Sequence, residues 1–365
     1  FRTSLFGTKV IISTDIRLNM KIAKTNHVPG VPTSLSRLFG ENNLFTQRSQ
    51  GLRLRMMQDI DFLARTQMEV GAKSGGLDVK ETANKILIEC LATKVMGDME
   101  PDAAKELTLC WKYFPRGWFR FSWNIPGTGV YRMLKARKLM MSLLKETVMK
   151  KRASGEEFGE YIFTFFVIAN ETTPGVLAAT VKLINDNPKV KQELQREHEQ
   201  IFRGKTDKGK EAELTWEDYK SMTFTQMVIN ESLRITSTVP TMLRKIEHEV
   251  QVGDYTIPAG WIFMGYPSIH FNPEKYEDPL AFNPWRWKGK DLSVILSRTY
   301  MPFGAGSRLC LGVEFAKLQM AIFIHHLWWS MKTETTVLRR FILMFPGGSD
   351  VQISEDTEVD NSAGY

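Results

Sequence analysis

Ten residues of this 365-residue chain concentrate its chemistry: Phe303-Gly-Ala-Gly-Ser-Arg308-Leu-Cys310-Leu-Gly312, a glycine-rich loop that sets one thiol just ahead of a helical pattern. Backbone N–H groups and the positive end of a helix dipole favour thiolate over thiol, and the Arg308 charge two residues away adds to this. A thiolate is a metal ligand. A lone axial thiolate holds a haem iron and pushes electron density toward bound oxygen, while nearby N–H donors tune the reduction potential. Gly306 and Gly312 permit close backbone approach. Two other readings fit the same residues: an inert buried cysteine beside a tight turn, and a phosphate-binding nest. A dinucleotide-binding fingerprint fails, because Leu309 stands where its third glycine belongs.

Two more constellations carry charge. Ala169-Asn170-Glu171-Thr172-Thr173-Pro174 interrupts an otherwise apolar helix with polar groups that cost several kcal/mol unless they find partners or water. Pro174 lacks the N–H that would bond to the Asn170 carbonyl, so the helix is expected to open beside Thr172. A helix cap or an interhelical hydrogen-bond cluster is the alternative reading there. Glu231-Ser-Leu-Arg234 places opposite charges three residues apart on one helical face. Glu193 and Arg196 repeat the spacing and read as a solvated surface pair.

The elements that must position these groups follow from periodicity. Two β-branched runs between Phe1 and Met20 predict a hairpin. Apolar residues at helical spacing predict helices over Arg53–Val95 and Tyr131–Arg152, with an irregular aromatic connection between Trp111 and Gly129. Tyr161 to Ile184 is apolar almost all round and reads as a buried central helix. A charged helix over Lys189–Arg203 follows, then a helix opened by Thr215-Trp-Glu-Asp218, with capping-box character, and running through Arg234. Beyond Pro240 come strand-like pieces at Val250–Tyr255 and Trp261–Met264, a meander over residues 271–302, a last helix from Val313 to about Trp328, and a strand-like Phe341–Phe345. There is no internal repeat.

Composition excludes several classes. The net charge of +7 is spread along the chain, which suits a basic surface and not a dedicated nucleic-acid binder. Three separated cysteines argue against a disulfide framework or a structural zinc site. The apolar run at Tyr161–Ala169 falls short of a membrane span. His325-His326 lacks the spacing of a helical zinc site and reads as a wet helix end.

The 303–312 loop strongly resembles the haem-binding signature of the cytochromes P-450, Phe-x-x-Gly-x-Arg-x-Cys-x-Gly, with every fixed position met. The resemblance implies a mainly α fold with a small β region, the cytochrome P-450 fold in incomplete form. It implies one domain over 1–365, β-rich at 1–20 and 241–265, helical over 53–234, with the haem loop and its helix at 303–328. On that resemblance Cys310 is the iron ligand, Arg308 and Arg244 pair with haem propionates, and Phe303 packs near the thiolate. Glu231, Arg234 and Arg286, the last in Phe282-Asn-Pro-Trp-Arg-Trp287, form a buried structural triad. Glu171 and Thr172 relay protons to dioxygen, although Ile168-Ala169-Asn170 replaces the usual Ala-Gly-x before the acid.

The implied cofactor is haem b, with NADPH electrons arriving through NADPH-cytochrome P-450 reductase, and the implied substrate is a hydrophobic terpenoid or steroid. The implied location is the cytosolic face of the endoplasmic reticulum membrane, through an anchor absent from this chain. The texture is most like plant family 702, near the brassinosteroid- and triterpenoid-oxidising groups. The links at Thr46–Leu52 and between Arg152 and Tyr161 are shorter than the family pattern, and His326–Ser330 is clipped. The expected function is therefore a haem-thiolate monooxygenase, with a shortened, haem-poor, non-catalytic relative as the alternative.

Overall fold

The computed structural model describes residues 2–5, 8–24, 50–96, 126–127, 162–206, 213–246, 248–290, 299–305, 309–310, 312–327, 332–333, 338–339, 343–344 and 349–352, with isolated positions 131, 135, 138 and 142. The β-branched runs pair as an antiparallel hairpin, Arg2–Leu5 (β1) with Thr8–Ser13 (β2). The hairpin ends sooner than expected, because the Asp15 carboxylate accepts the N–H groups of Arg17 at 2.7 Å and Leu18 at 3.0 Å. This side-chain cap turns Ile16–Lys24 into a helix, α1.

The main helical body contains Gln50–Ser74 (α2), Val79–Met96 (α3), Ile162–Asn185 (α4), Pro188–Thr206 (α5), Trp216–Ser221 (α6) and Thr223–Thr236 (α7). Gly75, at φ +76°, ends α2, and Leu77–Asp78 (β3) intervenes before α3. The buried central helix is α4: every residue from Thr173 to Val181 is buried, and helical conformation continues through Pro174. Thr215 forms the expected capping box with Asp218. The helix it opens stops at Ser221, and a second begins at Thr223. A long-range partner explains the division. Glu197 of α5 accepts the N–H groups of Phe224 at 2.6 Å and Thr225 at 2.9 Å, and the Thr225 hydroxyl at 2.6 Å, supplying the cap that the local sequence lacks.

After α7 come Thr241–Ile246 (β4), the hairpin Val250–Val252 (β5) with Tyr255–Ile257 (β6), Gly260–Gly265 (β7) and the short helix Pro267–His270 (α8). The first sheet runs β1-β2-β7-β4, with β2 parallel to β7 and the other pairs antiparallel. Ile246, Ile262 and Met264 of this sheet bury Leu18 and Ile22 of α1, a core separate from the helical one. The last helix is Val313–His326 (α9); its Ala321, Ile322 and Phe323 join Met57, Ile60, Leu87, Leu177 and Ile229 in the main core. Near the carboxyl end, Asp350–Gln352 (β8) pairs with β3 and with Lys332–Thr333, and Leu338–Arg339 pairs with Leu343–Met344.

The histidine pair at the end of α9 is not a wet helix end. His325 is 6% exposed, its Nδ1 lies 3.1 Å from Nδ1 of His198, and His326 Nε2 meets Asp61 at 2.7 Å. His198 Nε2 lies 3.1 Å from the Thr225 hydroxyl. These rings tie α9 to α2, α5 and α7. Among the described residues, no helix is long and apolar enough to cross a membrane, and no His, Cys, Asp or Glu cluster suits a metal ion.

Candidate functional site

Glu231 and Arg234 meet because they lie one turn apart on α7, and both side chains are fully buried. The Arg234 Nε and Nη2 groups donate to the two carboxylate oxygens at 2.9 and 2.8 Å, a bidentate pairing. Arg286, on the 3-10 turn Pro284–Trp287, donates its Nε to the same carboxylate at 2.9 Å. The structure thus brings Glu231, Arg234 and Arg286 together, whereas Glu193 and Arg196 pair at the exposed surface.

Sequence reasoning missed the rest of this knot. The Trp287 indole N–H donates to Glu231 at 2.9 Å and the Asn283 backbone N–H at 3.0 Å, so the carboxylate accepts five hydrogen bonds in all. Arg234 Nη1 donates to the carbonyls of His270 at 2.8 Å and Pro279 at 2.6 Å, and its guanidinium lies 5.0 Å from the Tyr276 ring centroid. A buried ion pair survives in a low-dielectric interior only when its remaining donors and acceptors are satisfied in this way. The residue before the pair also works: Asn230 accepts the Tyr300 hydroxyl at its carbonyl (3.0 Å) and the Lys317 ammonium at its side chain (3.0 Å). Burial pushes the Lys317 pKa down, opposed by the nearby Glu314 charge. Through Lys317 the knot reaches α9.

The cysteine loop leaves this knot and enters α9. Tyr300 and Met301 are buried, Phe303 packs half-buried against the main core, and Gly304 takes φ +77°, a backbone conformation suited to glycine. The Cys310 N–H donates to the Phe303 carbonyl at 2.9 Å, closing the loop on itself. Gly312 is the N-cap of α9, and its backbone N–H donates toward the Cys310 sulfur. A Cβ at Gly312 would lie 4.0 Å from that sulfur, an ordinary contact, so the described neighbours do not themselves demand glycine there.

Cys310 is a free, exposed thiol. Enough protein still crowds it that desolvation pushes its pKa up, and the Gly312 N–H only partly offsets this. In the metal-free protein, desolvation thus works against the thiolate that the helix start was expected to favour. One helix N-terminus does not outweigh the loss of hydration. Arg308, the second charge invoked, and Gly306 lie outside the described residues.

The other expected site residues are more dispersed. Thr172 is half-buried on α4, and Glu171 is helical there while its side chain lies outside the described residues. Arg244, on β4, is 4% exposed. Burial raises the Tyr266 pKa, and the Arg244 charge opposes that rise, so a buried cation is felt at the end of the first sheet.

A family profile described as "Cytochrome P450" matches residues 130–357. The chain is 31% identical over 404 aligned positions to Cytochrome P450 708A2 of Arabidopsis thaliana, covering 97% of this chain and 84% of that one. It is 30% identical to the Steroid (22S)-hydroxylase of Brachypodium distachyon, over 90% of this chain and 74% of that one. Among solved structures, the retinoic acid-bound cyanobacterial CYP120A1 superposes with TM-score 0.75 at 20% identity, covering 96% of this chain and 90% of that one.

Proposed function

The chain belongs to the cytochrome P450 family as a plant-type member, an oxidoreductase with the P450 haem-domain fold, and from that premise we propose that it inserts one oxygen atom of O2 into a terpenoid or steroid. The observation that carries this reading is the free, accessible Cys310 thiol at the mouth of the buried helix α9, on a loop anchored to the Glu231–Arg234 knot. The donor set fits haem: one sulfur ligand, with no competing His or carboxylate cluster among the described residues.

Cys310 would hold the iron, and the Gly312 N–H would temper the basicity of its sulfur. Arg244, and Arg308 beside the ligand, would neutralise the two haem carboxylates, with Gly306 letting the loop lie close. Phe303, half-buried against the main core, would pack near the thiolate. Haem bound through a cysteine thiolate supplies one-electron chemistry and the activation of dioxygen. The chain's own further work would be proton movement, with Thr172 passing a proton through its hydroxyl and Glu171 holding the next one ready.

Electrons from NADPH through a reductase, and residence at the endoplasmic reticulum membrane, belong to the same proposal. Steroid-class substrates are supported by the likeness to a steroid hydroxylase. Kinship with plant family 702 rests on sequence texture. A second reading has its own support: the alignment to the Arabidopsis relative spans 404 positions against 365 residues here, so that relative carries internal residues this chain lacks. That favours a shortened member with weak haem retention. One experiment separates the two. Haem-reconstituted protein, reduced under carbon monoxide, is expected to show the long-wavelength Soret band of thiolate-ligated haem, and Cys310→Ser is expected to abolish it. Failure to take up haem would sink the monooxygenase reading, and retention of the band in the serine variant would sink the ligand assignment.

A further inference from the structure

His270 ends the four-residue helix α8 with its side chain fully buried, and both ring nitrogens are engaged. Nε2 accepts the backbone N–H of Met301 at 3.0 Å. A backbone amide is only a donor, so Nε2 must carry the lone pair and the ring proton must sit on Nδ1. Nδ1 lies 2.8 Å from the Ser237 hydroxyl, which donates onward to the Arg234 carbonyl at 3.1 Å. The His270 carbonyl in turn accepts Arg234 Nη1 at 2.8 Å. One residue is therefore bonded to the arginine of the knot through its backbone and to the first residues of the cysteine loop through its ring.

From Met301 the path to the thiol is short. The Met301 carbonyl accepts the Gly304 N–H at 3.2 Å, and the Phe303 carbonyl accepts the Cys310 N–H at 2.9 Å. We propose that His270 is a positioning residue that fixes the start of the cysteine loop, and hence where the Cys310 sulfur is presented to haem, by holding the Met301 amide. This rests on the haem-thiolate reading above. The ring does so only in the neutral Nδ1–H form, since a proton on Nε2 would set N–H against N–H.

Glutamine and asparagine separate the two ring functions. His270→Gln carries an oxygen near the position of Nε2 and keeps an acceptor for Met301; His270→Asn is too short to reach it and leaves a buried N–H orphaned. In haem-reconstituted protein reduced under carbon monoxide, His270→Asn is expected to lose about tenfold in the ratio of long- to short-wavelength Soret species, the size of effect one buried hydrogen bond commands. His270→Gln is expected to retain most of the wild-type ratio. A merely structural role would lower the unfolding midpoint of both variants and leave the ratio alone, and that result overturns the proposal. Wild-type protein without the long-wavelength band would overturn the function reading instead. Should His270→Asn fail to fold, 15N-histidine NMR of the wild type decides: a protonated Nδ1 and an acceptor Nε2 on the buried ring support the assignment, and the opposite tautomer refutes it.

Discussion

Glu231 is 0% exposed and accepts five hydrogen bonds from three side chains and one backbone amide, so any change there strands buried donors. Glu231→Gln is expected to cost about 3–5 kcal/mol, the penalty for breaking a buried ion pair from one side, read as a shift in the urea unfolding midpoint. Trp287→Phe removes a single donor to a charged acceptor and should cost about 1.5–3 kcal/mol; a smaller loss in that variant would show the indole contact to be incidental. The triad was legible only through the family resemblance, since Glu193 and Arg196 share the same spacing and pair at the exposed surface. Trp287, Asn283 and His270 were not. Their roles depend on where the meander crosses α7, and no local spacing encodes that crossing. Cys310 was legible as a motif, but the desolvation that opposes its thiolate was not, since a dipole and a nearby charge can be counted in the sequence while burial cannot.

At the scale of elements, caps and buried histidines show the same division. Thr215 announces α6 through its own neighbours, whereas α7 is opened by Glu197 from another helix, a contact invisible to local pattern. Glu197→Ala is expected to destabilise by about 2 kcal/mol, at the upper end for lost caps, with fraying of α7 seen as faster amide exchange at Thr225 and its neighbours. Adjacency in sequence likewise concealed that His325 and His326 face partners from two other helices, His198 of α5 and Asp61 of α2.

Burial holds His198 and His270 to a pKa of about 3, with smaller depressing contributions from His326 and Arg234 respectively. Both rings are neutral in the native protein at pH 7. Once unfolded they bind protons below about pH 6.5, so stability present above that value drains away as pH falls toward 3, at up to about 2.7 kcal/mol per pH unit for the two together. The urea midpoint should fall accordingly between pH 6.5 and 4, and a His198→Gln variant should show a shallower dependence. An unchanged slope in that variant would mean that His198 is already charged in the fold.

Across the whole molecule, helices first and a small sheet afterwards could be read from periodicity, and so could the buried central helix. The strand order could not, because β2 pairs with β7, a strand far removed in sequence, and nothing in either run names the other. Stability should be distributed unevenly. The β5–β6 hairpin is mostly exposed, with Tyr255 at 76%, while α7 and α9 lie in the main core. Hydrogen exchange is expected to label Val250–Ile257 orders of magnitude faster than the interior of α7.

The parallel pairing of β2 with β7 has a consequence for biosynthesis. Thr14, just past β2, meets Ser268 across 254 residues of chain. A ribosome adding about 5–20 residues per second therefore leaves the first hairpin without its neighbouring strand for roughly ten to fifty seconds. During that interval a row of unpaired backbone amides stands open to any other nascent strand. The yield of this protein in a cell should accordingly respond to chaperone supply and to translation speed, even for variants whose finished structures are equally stable.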